Sequence, residues 1–131
     1  MKIFISVLFM LLLAVPASAK PRDVFPVSCE DLWSAVNVTL SDQGNYRVAS
    51  VDDLHMRASF IVVGNLTTYT DRVALNTFET GCQMKLAITQ VGSDDSDERG
   101  FRKRLGKSLA KVRAAKSAAP AQTPATVTGN Q

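Results

Sequence analysis

Residues 72–91 read RVALNTFETGCQMKLAITQV. Val73, Leu75 and Thr77 alternate with Arg72, Ala74 and Asn76 until Glu79, Thr80 and Gly81 interrupt the pattern, and Cys82, Met84, Leu86 and Ile88 then alternate with Gln83, Lys85 and Thr89. Successive side chains of an extended strand leave opposite faces, so two period-two runs across a short glycine-containing break predict an antiparallel hairpin, Arg72–Phe78 and Cys82–Val91. One face of this hairpin is apolar and the other polar, so it needs a cover on one side only.

Working upstream, the same period recurs. Leu54, Met56, Ala58, Phe60 and Val62 form one face and His55, Arg57 and Ser59 the other, ended by Gly64-Asn65. Before it, Tyr46 to Val51 alternates, and Asp52-Asp53 has turn chemistry. Both flanks change to a helical period. Ser28 and Asp31 make a capping-box-like start, Val27 and Leu32 sit as a hydrophobic staple, and Cys29, Trp33, Val36 and Leu40 form an apolar stripe, which predicts a helix from about 29 to 42. Downstream, Asp94, Asp95, Asp97 and Glu98 suit the positive end of a second helix. Phe101, Leu105, Leu109 and Val112 give it an apolar stripe opposite Arg99, Arg102, Lys103, Lys107, Lys111 and Arg113. Gly100 and Gly106 each weaken it by about 1 kcal/mol relative to Ala, so packing or binding must help to hold it. The expectation is an α+β domain: helix, four-stranded antiparallel meander, helix, with both helices covering one face of the sheet. The segment KPRDVFPV before the first helix reads as an extended lead along the domain edge.

This order of elements, with Leu32-Trp33 early in the first helix and the turn at Gly44-Asn45-Tyr46, resembles the repeated domain of the C subunit of the outer-membrane β-barrel assembly machinery. The likeness spans about residues 24 to 115, rests on pattern rather than on a signature motif, and implies a small bacterial envelope domain with helices gripping one side of a sheet. That family carries a lipidated cysteine, which this chain lacks, and no catalytic residue is carried over from it.

The first residues point to the same compartment. Lys2, an apolar run from Ile3 to Val15, and Ala17-Ser18-Ala19 compose a secretory signal peptide cleaved after Ala19. The run is shorter than the roughly 20 residues that span a bilayer, and Lys20 stands where a lipoprotein would have its cysteine. The expected organisation is a signal peptide at 1–19, one α+β domain at 20–116, and a disordered Ala/Pro/Thr-rich tail at 117–131. The product is expected in the periplasm or secreted, as a monomer with no transmembrane segment after cleavage. An exported chain with two cysteines favours their pairing, and Cys29 on the helix stripe can meet Cys82 on the core face of the hairpin. A bridge closing a loop of roughly fifty residues is worth about 3 to 4 kcal/mol in the chain-entropy model.

Catalytic chemistry finds little support. His55 is the sole histidine and lacks the spaced companions of a metal site; no Gly-x-Ser-x-Gly turn or CxxC pair occurs; the acidic run at 94–98 lacks the glycine and ligand spacing of a calcium loop. The expectation is a non-enzymatic binding or assembly module of the bacterial envelope, with no cofactor and no metal. Its basic helix would meet an envelope protein or an anionic surface through Arg99, Arg102, Lys103, Lys107, Lys111 and Arg113. Nucleic acid is not expected, for want of an aromatic stacking platform. Two other readings stand beside it: a ligand-binding protein or enzyme using His55 at a pocket between helices and sheet, and a membrane-surface-active protein whose last helix inserts in the interface.

Overall fold

The computed structural model describes residues 23–64, 69–89 and 95–119. The expected signal peptide and residues 120–131 of the expected tail lie outside the described residues. Seven elements follow in order: β1 (Val24–Phe25), α1 (Cys29–Leu40), β2 (Tyr46–Asp52), β3 (Arg57–Val62), β4 (Asp71–Phe78), β5 (Gly81–Ala87) and α2 (Ser96–Ala118). The class is α+β, and the strands form one antiparallel sheet in the order β1-β5-β4-β3-β2.

Five strands stand where the sequence suggests four. The lead before α1 is a strand, with Val24 opposite Gln83 and Phe25 opposite Cys82. Proline at 26 stops it after two residues, too few for any alternation to show. Gly81 makes room for it, since a Cβ there would run into the Phe25 carbonyl oxygen. The hairpin also closes more tightly than expected: Phe78 pairs with Gly81, leaving Glu79 and Thr80 as the loop, with Glu79 at φ 49°. β5 ends at Ala87, short of the expected Val91, and α1 ends at Leu40, short of residue 42. Conversely, α2 runs to Ala118, two residues into the segment read as tail.

The β2–β3 connection departs most. Leu54, His55 and Met56 belong to a turn, not to the strand that their alternation suggests. Asp52 accepts the His55 backbone N–H through Oδ1 and meets His55 Nδ1 with Oδ2, Met56 turns with φ 50°, and Leu54 is 85% exposed. Local side-chain-to-backbone bonds of an aspartate outcompete strand propensity here.

The ends of α1 follow from its residues. Ser28 caps the helix by accepting the Asp31 N–H at 3.2 Å, Glu30 and Asp31 occupy the first turn, and Leu32, Ala35 and Val36 are wholly buried. Cys29 and Cys82 are bonded, tying α1 to β5. Trp33 Nε1 donates to Asp53 Oδ1 at 2.8 Å, tying the same helix to the β2–β3 turn. The core joins α1, α2 and the sheet residues Tyr46, Ala58, Phe60, Val73, Leu75, Cys82 and Met84. At its centre Phe101 of α2 stacks on Phe60 at 5.4 Å, and the Tyr46 ring meets both edge-on. Such aromatic contacts contribute about 0.5–1.5 kcal/mol each beyond the area they bury.

Candidate functional site

α2 spends its apolar stripe on the core. Phe101 and Leu105 are wholly buried, and Leu109 and Val112 pack against the same cluster. The opposite side therefore consists of charge, and the six cations expected to face a partner divide into two groups. Arg99 pairs with Asp95 at 2.8 Å across one turn. Arg102 does not face outward as its position opposite the stripe suggests: it is about one-third exposed and lies between Asp23 at 2.7 Å and Glu98 at 3.0 Å. Those two carboxylates hold its guanidinium above the ordinary arginine range although its burial alone would lower it. Asp23 precedes β1, so this ion pair fastens the start of α2 to the added edge strand.

Lys103, Lys107, Lys111 and Arg113 are exposed, and among the described residues no carboxylate lies at ion-pair distance from any of them. Residues four apart on a helix are neighbours on its surface. Lys103, Lys107 and Lys111 thus form one continuous cationic stripe. Its inner margin borders a shallow groove of about 190 Å³ lined by Val38, Thr39, Asp42, Arg104, Lys107, Ser108 and Lys111. The Thr39 and Ser108 hydroxyls meet at 2.9 Å beneath it, and Thr39 also donates to the Ala35 carbonyl. With the Thr39 proton on the Ala35 carbonyl and the two hydroxyls bonded to each other, the groove's free donors are the Lys107 and Lys111 ammonium groups, which share its rim with the Asp42 carboxylate.

Arg104, which the stripe reading passes over, positions this wall. It donates to Asn45 Oδ1 at 2.8 Å and to the Tyr46 hydroxyl at 3.3 Å, with its guanidinium 5.7 Å from the Tyr46 ring centre. Burial raises the Tyr46 phenol above its ordinary range, an effect that the Arg104 hydrogen bond only partly offsets.

A second cationic surface lies on the face of the sheet turned away from the core. Register places Asp52, Arg57, Ala74 and Lys85 in one row and Ser50, Ser59, Arg72 and Ala87 in the next. Arg72 is thereby diagonal to both Arg57 and Lys85, within about 7–8 Å on a pleated sheet. Small residues lie between the three cations, which are all exposed and lack an ion-pair partner among the described residues. Alternation alone assigns each of these residues to a polar face; their convergence depends on register, which no single strand carries.

His55 lies in the exposed β2–β3 turn and lines neither the α1–α2 groove nor the groove beside β2 that Leu40, Tyr46 and Val48 line. Its partner Asp52 is held below the ordinary carboxylate range by the His55 backbone N–H and ring. Among the described residues no three His, Cys, Asp or Glu side chains gather as a metal ion requires, and no helix is long and apolar enough to cross a membrane. Comparison of the chain with protein-family models, with curated proteins and with solved structures finds no match.

Proposed function

We propose that this protein is an exported, non-enzymatic binding or assembly module of the bacterial envelope, in which both helices cover one face of the sheet and the outer side of α2 docks on an anionic partner. The observation that carries the reading is the division of cations along α2. Arg99 and Arg102 are paired with carboxylates of the same chain, whereas Lys103, Lys107 and Lys111 stand in line on the outer side of the helix with no carboxylate at ion-pair distance among the described residues. Three aligned like charges repel one another, and a partner that supplies negative charge relieves that repulsion. Export is supported by the pattern of residues 1–19, and the Cys29–Cys82 bridge is compatible with an oxidising compartment. The resemblance to the assembly-machinery domain points the same way.

The test uses two anionic probes, phosphatidylglycerol vesicles and poly-L-glutamate, with phosphatidylcholine vesicles as the neutral control. The protein is expected to bind at least one anionic probe at low ionic strength and to release it as salt rises. Lys103→Glu/Lys107→Glu/Lys111→Glu is expected to weaken that binding by roughly tenfold or more without lowering thermal stability, since all three side chains are exposed. Failure to bind either probe, or equal binding by the triple variant, would overturn the reading.

A further inference from the structure

We propose that β2 is a homodimerisation strand, pairing antiparallel with β2 of a second copy so that two five-stranded sheets join into one. The inference is independent of the anionic docking surface and replaces the monomer expected from the sequence. Of the two edges of the sheet, β1 is only two residues long, whereas β2 spans seven. Every residue of β2 from Arg47 to Asp52 is exposed.

The register of β2 explains why the occupant would be another copy. Tyr46, Arg47 and Val48 pair with Val62, Ile61 and Phe60; the register then slips, so that Ser50, Val51 and Asp52 pair with Ser59, Ala58 and Arg57. Ala49 is the extra residue. Paired residues share a face of the sheet, so Val48 joins the core-face row of Phe60 and Asp71, and Val51 joins the core-face row of Ala58, Val73 and Leu86. Arg47 and Asp52 fall together on the opposite face. Without the bulge, positions three or five apart would lie on opposite faces.

A regular strand laid along this edge would match β2 on one side of Ala49 and present the wrong face on the other, which is how bulges protect edges from indiscriminate pairing. A second β2 carries the same extra residue at the same place. Run antiparallel about a two-fold axis between Ala49 and Ser50, it sets Val48 opposite Val51 and Arg47 opposite Asp52, twice each, with faces in step throughout. Isologous pairing of this kind requires self-complementarity, and the strand has it in both shape and charge. Val48 and Val51 are 42% and 45% exposed at the rim of the core, and no cation other than Arg47 is on this strand. A groove of about 560 Å³ lined by Leu40, Ser41, Gln43, Tyr46, Arg47, Val48 and Val63 opens along the same edge, so the core-face side chains there have unfilled space beside them.

The experiment is sedimentation velocity of the disulfide-intact protein over a concentration series, with charge-swapped variants. The wild type is expected to sediment as a dimer at high concentration. Arg47→Asp and Asp52→Arg, which set like charges opposite each other at both contacts, are each expected to raise the dimer dissociation constant by roughly tenfold or more. An equimolar mixture of the two variants, and the doubly swapped Arg47→Asp/Asp52→Arg chain, are expected to recover the dimer. Asp52→Arg also removes the turn bonds to His55, so Val48→Lys, which leaves that turn intact, supplies the same readout independently. A wild-type protein that is monomeric throughout the series, or a dimer that Arg47→Asp and Val48→Lys leave equally tight, would overturn the proposal.

Discussion

Asp71 is a buried carboxylate, 3% exposed, at the start of β4. Its Oδ1 accepts the Thr89 backbone N–H at 2.8 Å and so holds the chain just past β5 against β4. Burial raises its pKa above the ordinary carboxylate range, more than the Thr89 hydrogen bond lowers it. A carboxyl whose folded value is raised contributes stability that is fully present below its unfolded value and lost as pH rises through the folded one. At neutral pH the charged form is therefore a cost to folding. Asp71→Asn keeps an acceptor for Thr89 and removes the charge, so it is expected to raise stability at pH 7, with the difference closing as pH falls below about 4, the unfolded carboxylate value. Urea unfolding at both pH values checks this; a variant less stable at pH 7 would mean that the ionised group is needed. Features legible at single residues, such as the Ser28 cap, depend on neighbours a few positions away. The turn at His55, where alternation suggests a strand, is decided by an equally local competitor, the Asp52 side chain bonding the backbone three residues on.

Among the elements, α2 depends most on tertiary contacts. Its glycines at 100 and 106 disfavour it in isolation, and Phe101 supplies the compensating anchor between Phe60 and Tyr46. Phe101→Ala is expected to lower the unfolding free energy by about 3–5 kcal/mol, a large share of the roughly 5–15 kcal/mol of a small domain. Urea denaturation followed by Trp33 fluorescence measures it, and a loss below about 1 kcal/mol would show that α2 is held elsewhere. The stripe of Phe101, Leu105, Leu109 and Val112 was legible from spacing, and so was the presence of cations opposite it. Which cations remain available was not: Arg102 meets Asp23, 79 positions distant in the chain, and only the tertiary fold brings them together.

Across the whole molecule, the Cys29–Cys82 bridge joins the first helix to the last strand over a separation of 53 residues. Cys29→Ser/Cys82→Ser is expected to lower stability by about 3–4 kcal/mol, read from the urea midpoint of the variant against that of the oxidised parent; an unchanged midpoint would show that the bridge restrains little of the unfolded chain. The sequence by itself determined the α+β class, the hairpin, both helices and the two cysteines' common destination, because periodicity and capping are properties of short stretches. The tertiary structure alone decided the fifth strand, the bulge at Ala49, the convergence of Arg57, Arg72 and Lys85, and the division of α2's cations into paired and unpaired. Each of these depends on register or on contacts between distant segments, and a local pattern fixes which face a residue occupies without fixing what lies beside it.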